Sequence, residues 1–240
     1  MRLWTRAAIL GGMAVCFAFA LVTQAANPIL ASKHNMNVAF GAGTIREGQV
    51  CLPCHTPHNM NPAYHNEALW NHTMDPSKAY QLYTSGGKST RYAANYVGLD
   101  NSSRMCLSCH DGAVAVDSFG GSTPSAGNPA NVVGAGFNVG FNADLTRDHP
   151  VGVRYPGAQM DGTWVSAGGY KDSTTLKTAP AGVSALGGGA VKLFKYETDA
   201  DTAKGTVVGC ASCHTPHDNA YKFLRIPNTN SDLCLKCHDK

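Results

Sequence analysis

Eight of the nine cysteines in this 240-residue chain fall in C-x-x-C pairs, and a histidine follows every pair. The pairs are Cys51 and Cys54 before His55, Cys106 and Cys109 before His110, Cys210 and Cys213 before His214, and Cys234 and Cys237 before His238. Two thiols at this spacing can bond the two vinyl groups of a porphyrin while the next side chain reaches its iron. Redox dithiols, disulfides or zinc ligation would also use such pairs, and the interval from CASCH to CLKCH has the gap of a zinc ribbon. None of these explains the histidines. With ten in the chain, chance puts one behind all four pairs in roughly a few cases per million. The sequence therefore predicts four covalent c-type haems, with His55, His110, His214 and His238 as proximal iron ligands.

Six histidines remain: His34, His58, His65, His72, His149 and His217. Four irons need four further ligands if every haem is closed on both faces. Methionine is the rival ligand and would set a higher potential. Met36, Met60, Met74, Met105 and Met160 show no repeated placement, whereas His58 and His217 recur in C-H-T-P-H. His58 cannot serve the iron of His55, because three residues span about 10 Å at most and the two axial ligands must approach from opposite faces. The residue before a proline avoids the α region, so the chain turns at Thr56, and Thr56 as N-cap with Pro57 at N1 would open a short helix. His58 and His217 are then expected to reach a second iron near the first, or else to bond a propionate or the turn itself.

The elements that must position these groups form a repeat. CLPCHTPHN followed by SSRMCLSCHDG matches CASCHTPHD followed by NSDLCLKCHDK, with an insertion in the first unit. This divides the chain into a first dihaem module at 26–117, a Gly/Ser/Asn-rich connection at 118–145, and a second dihaem module at 146–240. The connection reads as irregular. Alternation in AVKLFKYE, followed by TVVG, predicts a small β-hairpin before the third haem motif. The expected fold is mostly loops with short helices and that hairpin, packed around four covalently bound haems whose flat apolar faces supply much of the core.

Composition agrees with a loop-rich chain of neutral surface: 15% of residues are charged against about 25% ordinarily, and 26 glycines exceed the average of about 7%. Residues 1–25 read as a secretory signal peptide, with Arg2 and Arg6 before an apolar run and small residues at its end. The run is shorter than the roughly 20 residues of a membrane span, so no span is expected in the mature chain, and Cys16 leaves with the signal. The formal charge of +3 falls to about +1 without the two arginines, and eight haem propionates would bring it to roughly −7. No cluster of lysine or arginine points to nucleic acid.

SKHN, CLPCHTPHN, LWN, SSRMCLSCHDG, DHPVG, CASCHTPHD and LCLKCHDK together resemble the exported multihaem cytochromes with paired C-x-x-C-H motifs, over most of 32–240. The tetrahaem, bis-histidine members secreted by metal-reducing bacteria are the most similar, including the outer-membrane cytochrome E type that polymerises into extracellular filaments. The resemblance implies His34, His58, His149 and His217 as distal iron ligands, with His72 and His65 in reserve, and one distal ligand supplied by a neighbouring subunit. It implies an electron-transfer protein and not an enzyme. The chain would be extracellular or at the cell surface, otherwise periplasmic. It would self-associate into a filament, take electrons from other multihaem cytochromes and deliver them to extracellular metal oxides or other acceptors. A soluble periplasmic shuttle and a nitrite or hydroxylamine reductase are the alternatives.

Overall fold

The computed structural model describes residues 28–46, 48–58, 69–75, 78–81, 98–120, 127–140, 143–156, 169, 171, 177–178, 191–194 and 206–239. The signal-peptide reading and His65 lie outside them. Helices are short: α1 spans Met36–Phe40, α2 Asn101–His110 and α3 Cys210–Cys213. Strands are two residues each: β1 Val153–Arg154, β2 Lys177–Thr178, β3 Lys192–Leu193 and β4 Val207–Val208. Among the described residues no helix is long and apolar enough to cross a membrane.

Local chemistry accounts for the helix starts. Asn35 caps α1 through its side-chain oxygen, which accepts from the Asn37 N–H at 3.2 Å, and Asp100 caps α2 by accepting from the Ser103 N–H at 3.0 Å. Met36 then enters a core with Ile45, Val50 and Val116, against which Cys109 packs. The second core joins Leu99 and Leu107 of the α2 region to Leu145. Leu145 belongs to the stretch read as a connection. Its described residues are irregular, apart from a 3-10 turn at Pro129–Asn131, yet Leu145 packs on the first module.

The hairpin expected from alternation is present at its neck, where Phe194 and Val207 pair antiparallel with the Phe194 N–H donating to Val207 O at 2.8 Å; its loop lies outside the described residues. Sequence did not reveal its flanking partners, because two-residue strands leave no periodicity. β4 also pairs antiparallel with β1, Val153 opposite Val208, and β3 pairs parallel with β2. Tyr155, Val191 and Leu193 make the third core, with Cys237 packed against it. The buried Tyr155 hydroxyl lies 2.9 Å from Cys237 O and 2.8 Å from Lys171 O, which ties the fourth motif to this sheet.

Candidate haem-iron sites

Each C-x-x-C-H is one tight turn. The histidine N–H donates to the carbonyl of the first cysteine at 2.8 Å in His55, 3.1 Å in His214 and 2.9 Å in His238, and Cys106 to His110 form the last turn of α2. An i to i+4 turn stacks the first cysteine and the histidine on one face, the arrangement that attachment beside an iron ligand needs. None of the eight cysteines is in a disulfide. Burial pushes the Cys54 thiol up to about 12, Cys213 to about 11 and Cys237 to about 12. Among the described residues no three His, Cys, Asp or Glu side chains converge on a metal-ion position.

Successive motifs are neighbours. The Cys106 thiol hydrogen bonds Cys210, which raises Cys106 and lowers Cys210. Cys109 is pushed up by burial and then by Cys54, and Cys213 by burial, Cys210 and Cys234. The second and third motifs are joined by hydrogen bonds. Asp100 accepts from the Ser103 hydroxyl at 2.6 Å, and Ser103 Oγ accepts from the Cys210 N–H at 2.9 Å. Gly209 meets the Asp100 carboxylate so closely that no Cβ would fit.

The C-H-T-P-H segments do not open helices. Thr56 and Thr215 instead pair with later residues: Thr56 N–H donates to Leu69 O at 3.0 Å and Thr215 N–H to Phe223 O at 2.8 Å. His55 bridges Trp70, and His214 bridges Leu224. The repeat thus extends further than spacing from the cysteines reveals, with Leu69, Trp70 and Asn71 matching Phe223, Leu224 and Arg225. Leu69 and Phe223 both have left-handed backbone, φ 53° and 66°. Asn71 Nδ2 donates to Leu52 O at 2.6 Å, and the buried Arg225 Nε donates to Ala211 O at 2.7 Å. These two side chains lock the two C-x-x-C loops at the same point. Sequence reading missed them because the first module inserts extra residues before its copy.

Four of the singled-out histidines come together in two pairs. His34 and His110 have ring centres 6.1 Å apart with planes 73° from parallel. His55 and His217 have ring centres 5.9 Å apart with planes at 20°. Imidazoles bonded to a metal at about 2.0–2.1 Å on opposite faces would have ring centres about 6 Å apart, so both pairs fit two axial ligands of one iron. The nitrogens agree. Nδ1 of His34 lies 3.2 Å from Pro216 O and Nδ1 of His110 lies 2.9 Å from Phe137 O, which leaves both Nε2 atoms for the metal. Burial pushes His34 and His217 below the ordinary imidazole range, and the neighbouring imidazoles His110 and His55 add to it. A neutral imidazole is the form that binds a metal. Buried Nδ1 of His217, Oγ1 of Thr215 and Nε1 of Trp70 have no hydrogen-bond partner, as polar atoms around a cofactor would.

The other histidines differ. His58 is exposed, its backbone tied to Thr56, whose hydroxyl donates to His58 O at 2.5 Å. His149 is exposed, with Nδ1 3.1 Å from Pro150 O. No ring contact joins either to another imidazole among the described residues. His72 is fully buried, with Nε2 3.1 Å from Ala115 O. Of the methionines, Met36 and Met105 are buried in the apolar interior.

A family model described as the doubled CXXCH motif matches residues 203–240. No curated protein matches the chain. The match covers the third and fourth motifs and supports a multihaem c-type cytochrome-like protein. Covalent haem binding with iron is the chemistry these motifs indicate.

Proposed function

We propose that the chain is an exported electron-transfer protein carrying four c-type haems, two of them closed by the axial pairs His34/His110 and His55/His217. The observation that carries this reading is the meeting of two histidine pairs, each at the spacing of two ligands on one iron. Haem iron supplies reversible one-electron exchange when bound. The chain's own residues hold both axial positions, so no site remains there for a substrate, which favours an electron carrier over a nitrite or hydroxylamine reductase. The cysteine neighbours run Cys54 to Cys109, Cys106 to Cys210, and Cys213 to Cys234. This supports four haems following one another in chain order, with short steps between them. His58 and His149 remain our assignments for the irons of His214 and His238.

The filament reading of the outer-membrane cytochrome E type draws support from the unequal repeat. In the second module Phe223 packs against His34 at 4.3 Å. In the first, the matching Leu69 is 45% exposed beside exposed Pro57 and His58. A second copy of the chain fits this face by the same mode, with His58 offered to an iron near the junction. The assembly would lie outside the cell or at its surface, fed by other multihaem cytochromes and draining to metal oxides or other external acceptors.

Ultraviolet-visible and EPR spectra of the secreted holoprotein test the closed-iron reading: low-spin haem throughout supports it, and abundant high-spin haem with ready CO binding refutes it. Negative-stain microscopy tests the filament, which monodisperse monomers would exclude.

A further inference from the structure

His34 is anchored in one module and oriented by the other. Its neighbour Met36 is embedded in the first module's core, and the His34 N–H donates to Ser32 Oγ at 3.2 Å. Its ring, however, is held by the loop behind the third haem motif. Pro216 O faces Nδ1 at 3.2 Å, and the Phe223 ring lies against the imidazole, centres 4.3 Å apart and planes at 34°. The carbonyl fixes where the ring edge points. The phenyl face blocks rotation about the bond that Nε2 would make to the metal.

The backbone shows how Phe223 is brought there. Tyr221, Lys222 and Phe223 are three successive non-glycine residues in left-handed conformation, at φ 50°, 57° and 66°. Such residues persist only where surrounding structure over-determines them, and they cluster at functional sites. Here the turn is held at its C-terminal end, by Thr215 N–H on Phe223 O and by Arg225 N–H on Cys213 O, each at 2.8 Å. Both bonds also exist in the first module, from Thr56 to Leu69 and from Asn71 to Cys54, but Leu69 brings no aromatic face.

We propose that Phe223 is a positioning residue: from the second module it locks the His34 imidazole crosswise to His110 and so sets the electronic character of the iron between them. This rests on the reading of His34 and His110 as one axial pair. Crossed imidazole planes leave two of the iron d orbitals nearly equal in energy, whereas parallel planes such as those of His55 and His217 split them. The two irons therefore differ in EPR, one giving a highly anisotropic low-spin signal with a large maximum g value and the other a rhombic one.

The experiment is low-temperature EPR with haem quantitation on the ferric holoprotein and on Phe223→Ala, Phe223→Leu and Phe223→Tyr, the leucine copying Leu69. The expected result is a large-g signal in the unaltered protein that shifts toward rhombic in the alanine and leucine variants and returns in the tyrosine variant. Haem content and the rhombic signal of the parallel pair stay constant. A large-g signal unmoved in both the alanine and leucine variants overturns the positioning role alone. So does loss of haem or conversion of every haem to high spin in both, since that marks a general folding role. Absence of any large-g low-spin signal from the unaltered protein overturns the crossed orientation and the proposal with it, whereas failure of the His34/His110 pairing itself shows as a high-spin haem that binds CO on reduction.

Discussion

His55 and His217 face one another with ring centres 5.9 Å apart and planes within 20° of parallel, although each belongs to a different copy of the repeated C-H-T-P-H segment. The second module therefore reaches back to the first haem motif. His217→Ala is expected to leave all haems attached, since no cysteine changes, and to convert one haem to high spin that binds CO. Absorbance with and without CO checks this, and external imidazole should restore the low-spin spectrum.

Attachment at the third motif depends on the thiols of Cys210 and Cys213. Replacing both by serine is expected to remove one haem of four from the secreted protein. Intact-mass measurement reads the loss directly, and an unchanged haem count would refute covalent attachment there.

Arg225 is 1% exposed and its Nε donates to Ala211 O inside the C-x-x-C loop at 2.7 Å. A hydrogen bond from a charged group contributes about 1.5–3 kcal/mol, so Arg225→Ala should lower unfolding free energy by about that amount. The uncharged counterpart Asn71→Ala should cost about 1 kcal/mol. Urea denaturation of the two variants measures the difference.

The junction between modules is tight at Gly209, where an added Cβ would overlap the Asp100 carboxylate. Asp100 caps α2, so Gly209→Ala must displace either the cap or the third motif. The expected cost is about 1–3 kcal/mol, read from the thermal midpoint.

Acid should weaken the fold through His72. Burial holds its imidazole below the ordinary value of 6.5, only partly offset by the bond to Ala115 O. As pH falls below that value, the unfolded chain takes up a proton that the folded one refuses, and stability declines until the depressed folded value is passed. Above it the contribution is complete and flat. Urea midpoints at about pH 7.5 and about pH 5.5 should differ, less so in His72→Gln.

The covalent chemistry was legible in the sequence because it is local: C-x-x-C-H needs only one turn of chain, and four copies with their histidines leave little room for chance. The loop-rich class and the hairpin neck followed from composition and alternation. Neither the two-residue strands β1 and β2 nor the matching of Asn71 with Arg225 left a signal, since such short strands have no period and the inserted residues break the offset. The C-H-T-P-H turn was read as a helix start, but Thr56 and Thr215 are tied by backbone hydrogen bonds to Leu69 and Phe223 and no helix opens there.

By itself the sequence determined which residues could bond haem and that six histidines stand outside the C-x-x-C-H motifs. Only the tertiary structure decided that His34 meets His110 and His55 meets His217. Axial ligands approach a metal from opposite faces of a wide plane, so the second ligand must come from distant chain, and packing alone selects which one arrives.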